Sequence, residues 1–325
     1  MTDAFTAVTR RYDYRMTPYL NALLKGRAAG DPLTLQFLPD ARELQALPYE
    51  SADPIGDVAF SPVQGIVHRY PDRVLLKVAH SCPVYCRFCF RREMVGSKGE
   101  PLQGAALEAA IDYVRANPAI REVILTGGDP LSLSGRRLSE VLAKLASIES
   151  LDFLRIHSRV PIVAPESIDD ACLGALKQRL PVYLALHVNH PDEITAQVTA
   201  AIQRLLGGGV LLLSQTVLLK GVNDDAAVLE KLFRQLVRLK IRPYYLHHPD
   251  LAPGTAHFRV ALEVGQELMR TLRAKVSGLC LPTYVLDIPG GFGKVPVGPN
   301  YVGELTPSGH REVRDAKGVA HLYPE

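Results

Sequence analysis

The sequence predicts an α/β protein whose central unit is a partial (βα)6 barrel. Six apolar, β-branched segments are typical of buried strands, and amphipathic helical patterns lie between them. After the first interval the strands begin about 30 residues apart, which is the length of a strand, a helix and two turns. A doubly wound parallel sheet would give the same order of elements. Polar residues gather at the carboxyl ends of nearly every predicted strand, where barrels place their sites, and this favours the barrel.

The predicted strands begin, in order, at Arg73, Glu122, Phe153, Val182, Val210 and Ile241. Helices are predicted in the segments LEAAIDYVRAN, SEVLAKLASI, EITAQVTAAIQRLL and AAVLEKLFRQLVRLK, whose apolar residues recur every three or four positions. We therefore expect the barrel to occupy residues 66–276. A helical extension over residues 1–65 would precede it, and a C-terminal segment over residues 277–325 would follow.

Composition excludes several classes of protein. The chain has 325 residues, of which 47% are hydrophobic, enough to bury a large core. Its 37 Lys and Arg residues exceed its 34 Asp and Glu residues by 37 − 34 = 3, and they are scattered, so neither a nucleic-acid partner nor a membrane surface is expected. No apolar stretch approaches the roughly 18 residues of a membrane-spanning helix. The first residues lack an apolar leader, and a soluble, cytoplasmic protein is expected.

The segment HSCPVYCRFCFRR carries three cysteines, Cys82, Cys86 and Cys89, in a CxxxCxxC pattern. Thiolates at this spacing can close on one metal centre, and a [4Fe-4S] cluster with three protein ligands leaves one iron open for a small molecule. A structural zinc completed by His80 or Cys280 is the alternative. Disulfides are disfavoured, because the chain has five cysteines, an odd number, and no secretory leader.

Polar side chains follow every predicted strand. For any single position a turn or a helix N-cap is a sufficient explanation, as for Ser158 and Asn189. Histidines and arginines at the carboxyl ends of several successive strands indicate instead a ring of side chains around one cavity. The groups are His80-Ser81, Thr126 to Asp129, His157 to Arg159, His187 to His190, Ser214 to Thr216 and His247 to Asp250.

Two glycine-rich segments stand out. Gly127 and Gly128 precede Asp129 directly after the second predicted strand, where paired glycines let the backbone approach a ligand, although a tight turn would also explain them. The second segment, IPGGFGK, ends at Lys294. It is not a P-loop, because the first glycine and the final Ser/Thr of that motif are absent. A lysine held over a cavity suits a Schiff base with pyridoxal phosphate (PLP), while an exposed lysine in a loop is the alternative.

Together these motifs resemble the lysine 2,3-aminomutase family of radical S-adenosylmethionine (SAM) enzymes. The segments HRYPDRVLL, CPVYCRFCFRR, ILTGGDPL, RIHSRVPIV and PGGFGKVPVGPNYV occur in the family's order, and the likeness runs from about Asp53 to Val302. The resemblance implies a TIM-like radical SAM barrel with a C-terminal PLP-lysine segment. It further implies an isomerase that moves the α-amino group of L-lysine to the β-carbon. A [4Fe-4S] cluster, SAM and PLP would be cofactors, a reduced flavodoxin or ferredoxin-type protein the electron donor, and a homo-oligomer possible.

The resemblance also implies a role for individual residues. Arg91 would bind the substrate carboxylate, whereas its sequence position alone would equally suit a surface ion pair. The cluster would be held by Cys82, Cys86 and Cys89, SAM would be contacted by Gly127, Gly128, Asp129 and Ser158, and PLP would be bound by Lys294, Arg69 and Arg73.

Asp250 and Asp287 bear on the choice of substrate. They match the two aspartates that the family places around the ε-ammonium of lysine, and the related glutamate enzymes lack such an acidic pair. Two carboxylates suit a cationic tail held away from bulk water. The alternative is that Asp250 caps the next helix and Asp287 ends a strand.

The chain departs from the family at three positions. Asp225 or a neighbour lies where clostridial-type enzymes carry a zinc-binding cysteine, and Ser214 and His247 replace the usual asparagine and tyrosine. A structural zinc like that of the family is therefore not expected. Two other functions remain open: formation of (R)-β-lysine for attachment to a translation elongation factor, or a non-enzymatic or zinc-binding module. Another amino acid such as glutamate is a further alternative substrate.

Overall fold

The computed structural model describes residues 3–96 and 99–325, and within them nine strands form one sheet whose spatial order follows the chain. Their bounds are β1 Ile66–Tyr70, β2 Arg73–Ala79, β3 Glu122–Gly127, β4 Phe153–Ser158, β5 Val182–His187, β6 Leu211–Val217, β7 Arg242–His247, β8 Thr283–Ile288 and β9 Gly293–Pro296. Strands β2 to β8 run parallel, and β1 and β9 are antiparallel at the two edges. A doubly wound sheet would reverse its strand order at a switch point. The sequential order therefore confirms the barrel.

Helices cover the outside of this sheet. Their bounds are α1 Asp3–Arg11, α2 Pro18–Leu24, α3 Pro32–Phe37, α4 Gly104–Ala116, α5 Gly135–Ala146, α6 Val160–Val163, α7 Asp170–Leu176, α8 Ala196–Gly207, α9 Ala226–Arg238 and α10 Leu262–Lys275. The four predicted helical segments correspond to α4, α5, α8 and α9. The helices α1 to α3 fall in the predicted N-terminal extension, whose standing as a separate domain stays a prediction.

The main core lies between the sheet and these helices. Leu107 and Ile111, one turn apart on α4, are buried in the same apolar cluster as Val74 and Val78 of β2. Because side chains alternate along a strand, Lys77 of β2 faces the other way, into the barrel. The interior of the barrel is therefore left to polar side chains, which is where the predicted site residues lie.

The barrel contains more strands than the six that the sequence predicts. Strand β8 adds a seventh parallel member, and β1 and β9 extend the two edges as short hairpins. Within the described ranges β1 and β9 share no strand ladder. Instead, the backbone N–H of Lys294 donates to the Tyr70 hydroxyl at 2.8 Å, and a Cβ on Gly56 would lie only 2.7 Å from the backbone nitrogen of Gly291. Side chains and glycine backbone thus close the seam.

The C-terminal residues form a second, smaller sheet. Its strands are β10 Val302–Leu305, β11 His310–Arg314 and β12 Ala320–Pro324, all antiparallel. Both outer strands are exposed along their whole length. In the described parts of the chain, no helix combines the length and the apolar character needed to cross a membrane.

Candidate active site

Three histidines lie at or near the carboxyl ends of three of the parallel strands of the barrel. They are His157 of β4, His187 of β5 and His247 of β7. Burial lowers the pKa of His247 well below its usual range, and Lys294, His187 and His157 lower it further. Burial likewise lowers the pKa of His187 to about 3, with Arg159 adding to the effect. The three imidazoles are therefore neutral at physiological pH and close to one another, as the predicted ring around one cavity requires.

The cysteine loop follows β2 directly. Cys82, Cys86 and Cys89 are free thiols, and burial raises the pKa of Cys89 to about 11, with Cys86 adding to the shift. Arg159 donates to the Cys86 sulfur at 3.2 Å. Across residues 3–96 and 99–325, no three His, Cys, Asp or Glu side chains already surround a metal position. The donor chemistry nevertheless fits an iron–sulfur cluster, because three soft thiol ligands share one loop and influence one another's pKa.

A buried group of charges holds this loop in place. Glu43 accepts from the Arg87 Nε at 2.9 and 3.1 Å and also pairs with Arg92, and all three side chains are inaccessible to solvent. Arg92 also donates to the Gly254 carbonyl at 3.0 Å and lies 3.6 Å from the centre of the Tyr12 ring. Sequence reasoning missed Glu43. Its one local signal is the capping box that it forms with Asp40, which says nothing about a distant arginine.

The GGDP segment has a structural explanation of its own. Gly127 has a φ of +108°, and a Cβ there would lie 2.3 Å from the Ala79 carbonyl oxygen. Asp129 is buried, and its carboxylate accepts the backbone N–H groups of Arg159 at 2.7 Å and Leu131 at 3.0 Å. The Ser158 hydroxyl accepts the Val160 N–H at 3.0 Å. Contact of Gly127, Gly128, Asp129 and Ser158 with SAM stays a prediction.

Lys294 lies opposite Asp287 in the β8–β9 hairpin. The two side chains form an ion pair, and the Lys294 ammonium is also 3.4 Å from Nδ1 of His247. Only 22% of the lysine side chain is exposed, so it is not the surface lysine of the alternative interpretation. The turn before it contains Gly291 at a φ of +88°, where a Cβ would lie 2.4 Å from the Phe60 ring. Glycine at this position lets the hairpin reach the facing edge of the barrel.

Asp250 lies near this pair, just beyond the end of β7. Burial raises the pKa of Asp250 to about 7, and the neighbouring Asp287 raises it further while Lys294 opposes the shift. The next long helix, α10, is preceded by Ala261 as its N-cap. Asp250 therefore does not cap that helix, so this half of the alternative was wrong, whereas Asp287 does lie at the end of β8, as the other half expected. The structure places Asp250, Asp287 and Lys294 close together at the carboxyl end of the barrel.

The three predicted anion-binding arginines have different partners. Arg91 donates to Asp57 at 2.9 Å and to the Thr126 hydroxyl at 3.1 Å, and since the Asp57 side chain is 1% exposed, this is not the surface ion pair of the alternative. Arg69 contacts the same Asp57 at 3.3 Å. Arg73 instead pairs with Asp72 at 2.7 Å. Sequence reasoning missed Asp57, which no motif marks.

Family models and curated proteins match this chain over most of its length. The family model of the radical SAM superfamily matches residues 76–232, and that of lysine-2,3-aminomutase matches residues 269–325. The L-lysine 2,3-aminomutase of Clostridium subterminale is 42% identical over 95% of this chain and 74% of its own length. That of Bacillus subtilis is 38% identical over 98% and 67%. The glutamate 2,3-aminomutase of Clostridioides difficile is 36% identical over 91% and 70%.

A solved structure, native anSMEcpe with bound AdoMet and Kp18Cys peptide, has a TM-score of 0.50 at 14% identity over 63% of this chain and 60% of that chain, and it supports the fold alone. The barrel and the family match define a radical SAM enzyme. More narrowly, the chain belongs to the lysine 2,3-aminomutase family and is an isomerase of that family. Membership implies a [4Fe-4S] cluster, SAM and PLP as cofactors.

Proposed function

We propose that this protein converts L-lysine to β-lysine by moving the α-amino group to the β-carbon. The observation that carries the proposal is the juxtaposition of Lys294 with two carboxylates, Asp250 and Asp287, at the carboxyl end of the barrel. Close relatives named L-lysine 2,3-aminomutase support lysine as the substrate.

Each cofactor has a group of residues that would hold it. Cys82, Cys86 and Cys89 would bind the cluster, and the backbone around Gly127 to Asp129, together with Ser158, would contact SAM. Lys294 would anchor PLP, with Arg69 and Arg73 as donors to its phosphate. When bound, the cluster and SAM supply radical chemistry, and PLP supplies the conjugated system that lets nitrogen migrate. The protein's own part is to orient these groups and to exclude water.

The charges at the two ends of the cavity support lysine over glutamate. Asp250 and Asp287 oppose each other when both are ionised, and an ε-ammonium between them would relieve that repulsion. Arg91 would pair with the α-carboxylate at the other end. A glutamate side chain would bring a third negative charge to the acidic end, so we expect it to bind poorly.

Two partners belong to the same proposal. A reduced flavodoxin or a ferredoxin-type protein would deliver the electron that the cluster needs, and the enzyme would work as a homo-oligomer or as a single chain. Attachment of (R)-β-lysine to an elongation factor is the alternative fate of the product.

The test is an anaerobic assay of the reconstituted protein with SAM, PLP and dithionite. With L-lysine we expect β-lysine, and chiral analysis then separates free-lysine metabolism from the elongation-factor alternative. With L-glutamate we expect no product. Glutamate turnover without lysine turnover would overturn the proposed substrate.

A variant links the activity to the proposed PLP anchor. Lys294→Ala should lose both the covalent attachment of PLP after borohydride reduction and all β-lysine formation. Lys275→Ala, at the exposed end of α10, is the matched control and should keep both. Mass spectrometry of the reduced peptide identifies the modified lysine, and a label on another lysine would contradict the assignment.

A further inference from the structure

Asp57 contacts two arginines that the proposed function assigns to two different ligands. Its Oδ2 accepts from Nη2 of Arg91 at 2.9 Å, and its Oδ1 faces Nη2 of Arg69 at 3.3 Å. Arg91 would bind the substrate carboxylate, and Arg69 would bind the PLP phosphate. One carboxylate thus joins the two anion-binding positions.

Burial makes these contacts strong. The side chain of Asp57 is 1% exposed, and those of Arg91 and Arg69 are 9% and 11% exposed. An unpaired charge in such a place is costly, and a charge-assisted hydrogen bond is correspondingly stronger than one in water. Each guanidinium is therefore fixed on the side that faces Asp57.

Each of the two arginines has one buried donor that has no hydrogen-bond partner among the described residues. The Nε atoms of Arg69 and Arg91 are buried and have no hydrogen-bond partner in the described structure. Buried polar atoms are almost always partnered in folded proteins, and an anion bound at Arg69 or Arg91 would supply the partner. Asp57 accepts from Nη2 of both arginines, the Ile55 carbonyl also accepts from Nη2 of Arg69, and the Thr126 hydroxyl accepts from Nη1 of Arg91. Nε is therefore the donor that an incoming anion would complete on each arginine.

The local charge also favours anions. Lys77 of β2 lies beside Thr126 of β3 in the parallel ladder, and Thr126 is the second acceptor of Arg91. Burial lowers the pKa of Lys77, while Asp57 opposes the shift, Arg91 adds to it and Asp53 opposes it. Three cationic side chains thus lie near the carboxylate of Asp57, and Asp53 and Asp250 are acids nearby.

The backbone around Asp57 is fixed as well. Asp53 accepts the N–H of Asp57 at 2.8 Å and that of Val58 at 2.9 Å. Gly56 packs directly against Gly291, in the turn that leads to Lys294. The position of Asp57 is therefore set by the same seam that closes the barrel.

We propose that Asp57 is a positioning residue that holds Arg69 and Arg91 as one unit and so couples binding of the PLP phosphate to binding of the substrate carboxylate. This inference rests on the proposed function. It goes beyond it in assigning a role to a residue that touches neither ligand.

The test measures binding without turnover. PLP and pyridoxal, which lacks the phosphate, are titrated into the PLP-free protein, and L-lysine and L-lysinamide, which lacks the carboxylate, are titrated into the PLP-loaded protein without SAM or reductant. Asp57→Asn should lower the affinities for PLP and for L-lysine by roughly tenfold to a hundredfold each, because a charge-assisted contact is lost at both arginines. The affinities for pyridoxal and L-lysinamide should change by less than about threefold, since neither ligand has the anionic group that would bind these arginines. Asp57→Glu should restore part of the loss.

Glu50→Gln is the matched control. Glu50 is a carboxylate that is also 1% exposed and pairs with an arginine, Arg259, but not with Arg69 or Arg91. The Glu50→Gln variant should be less stable than the parent protein but should keep the parent's affinities for PLP and for L-lysine. If Asp57→Asn leaves PLP and lysine binding unchanged, tightens either one, or weakens pyridoxal and lysinamide equally, Asp57 does not position the arginines.

A second variant covers the case in which Asp57→Asn does not fold. In Arg91→Gln, Asp57 retains Arg69 as its one arginine partner, so the preference for PLP over pyridoxal should fall severalfold although Arg91 touches no part of PLP. An unchanged preference would overturn the coupling. If the parent protein itself fails to take up PLP on Lys294, the proposed function fails instead, and the two failures are thereby distinguished.

Discussion

Two groups of buried or half-buried charges, here called the paired wall and the open wall, are neutralised in different ways. On the paired wall, carboxylates and guanidinium groups neutralise one another around the cysteine loop; its residues are Glu43, Arg87, Arg92, Arg159 and Glu193. On the open wall, two acids share one lysine beside a neutral histidine; its residues are His247, Asp250, Asp287 and Lys294. In the first group each charge has a counter-charge within the protein, whereas in the second two carboxylates have one ammonium between them.

Arg159 illustrates the paired wall. Its Nη2 donates to Gln36 and to Glu193, each at 2.7 Å, and its Nη1 donates to the Cys86 sulfur at 3.2 Å. Glu193 in turn accepts the backbone N–H groups of Asn189 and His190, each at 2.8 Å. Such a network orders the loop that carries the thiols before any metal binds.

Asp250 illustrates the open wall. Its pKa of about 7 means that the ligand-free protein holds this carboxyl partly protonated near neutrality. A cation placed beside it would restore the ionised form.

The largest effect is expected on the paired wall. Glu43→Gln leaves Arg87 and Arg92 buried without their counter-charge, and breaking a buried pair in this way costs about 3–5 kcal/mol. Urea unfolding of the metal-free protein measures the change in the free energy of unfolding. Iron content after reconstitution should fall in parallel, because the loop loses its anchor. A loss under about 1 kcal/mol would show that the network does not hold the loop.

On the open wall a smaller effect on stability is expected, and there the variant becomes more stable than the parent protein. The pKa of Asp250 is about 7 in the folded protein against an ordinary value of 3.8, so the folded state binds more protons than the unfolded state between these values. Stability of the ligand-free protein therefore decreases as pH rises through this window, by up to about 1.4 kcal/mol for each pH unit. Asp250→Asn removes the decrease. The variant should gain stability relative to the parent on going from pH 5 to pH 8, in urea unfolding at both values.

Lysine binding supplies the control for this prediction. In the PLP-loaded parent protein, affinity for L-lysine should rise between pH 6 and pH 8 as Asp250 ionises, and in Asp250→Asn this part of the pH dependence should vanish. The affinity for L-norleucine, which lacks the ε-ammonium, should show no such rise in either protein. A parent protein whose stability is constant from pH 5 to pH 8 would contradict the raised pKa.

Local patterns in the sequence predicted the fold well. The six strands β2 to β7 carry continuous apolar, β-branched runs, and the intervening helices α4, α5, α8 and α9 carry three- and four-residue periods. The short edge strands were not predicted. Strand β9 has only four residues and contains a glycine and a proline, so its pairing with β8 depends on the hairpin rather than on an apolar run.

The sequence predicted candidate site residues only through local motifs and through the resemblance to the family. The cysteine loop and the Lys294 loop are short segments with recognisable spacing. Asp57 and Arg91 are 34 residues apart, and Glu43 and Arg87 are 44 apart. Such pairs depend on how the N-terminal segments fold over the barrel, which no local spacing specifies. The role of Asp57 therefore becomes visible only in three dimensions.

The smallest effect tests whether burial, rather than the mere presence of an ion pair, sets the paired wall apart. Glu230 and Arg234 form a pair at 2.9 Å, four residues apart on α9, with 28% and 42% of their side chains exposed. Solvent screens such a pair, and helix pairs at this spacing contribute about 0.3–0.5 kcal/mol. Glu230→Gln should therefore lower the free energy of unfolding by no more than about 0.5 kcal/mol, and the loss should disappear in about 1 M NaCl. The loss in Glu43→Gln should persist in the same salt, because its partners are inaccessible to ions. If both variants lost comparable stability and responded alike to salt, burial would not distinguish the two kinds of ion pair.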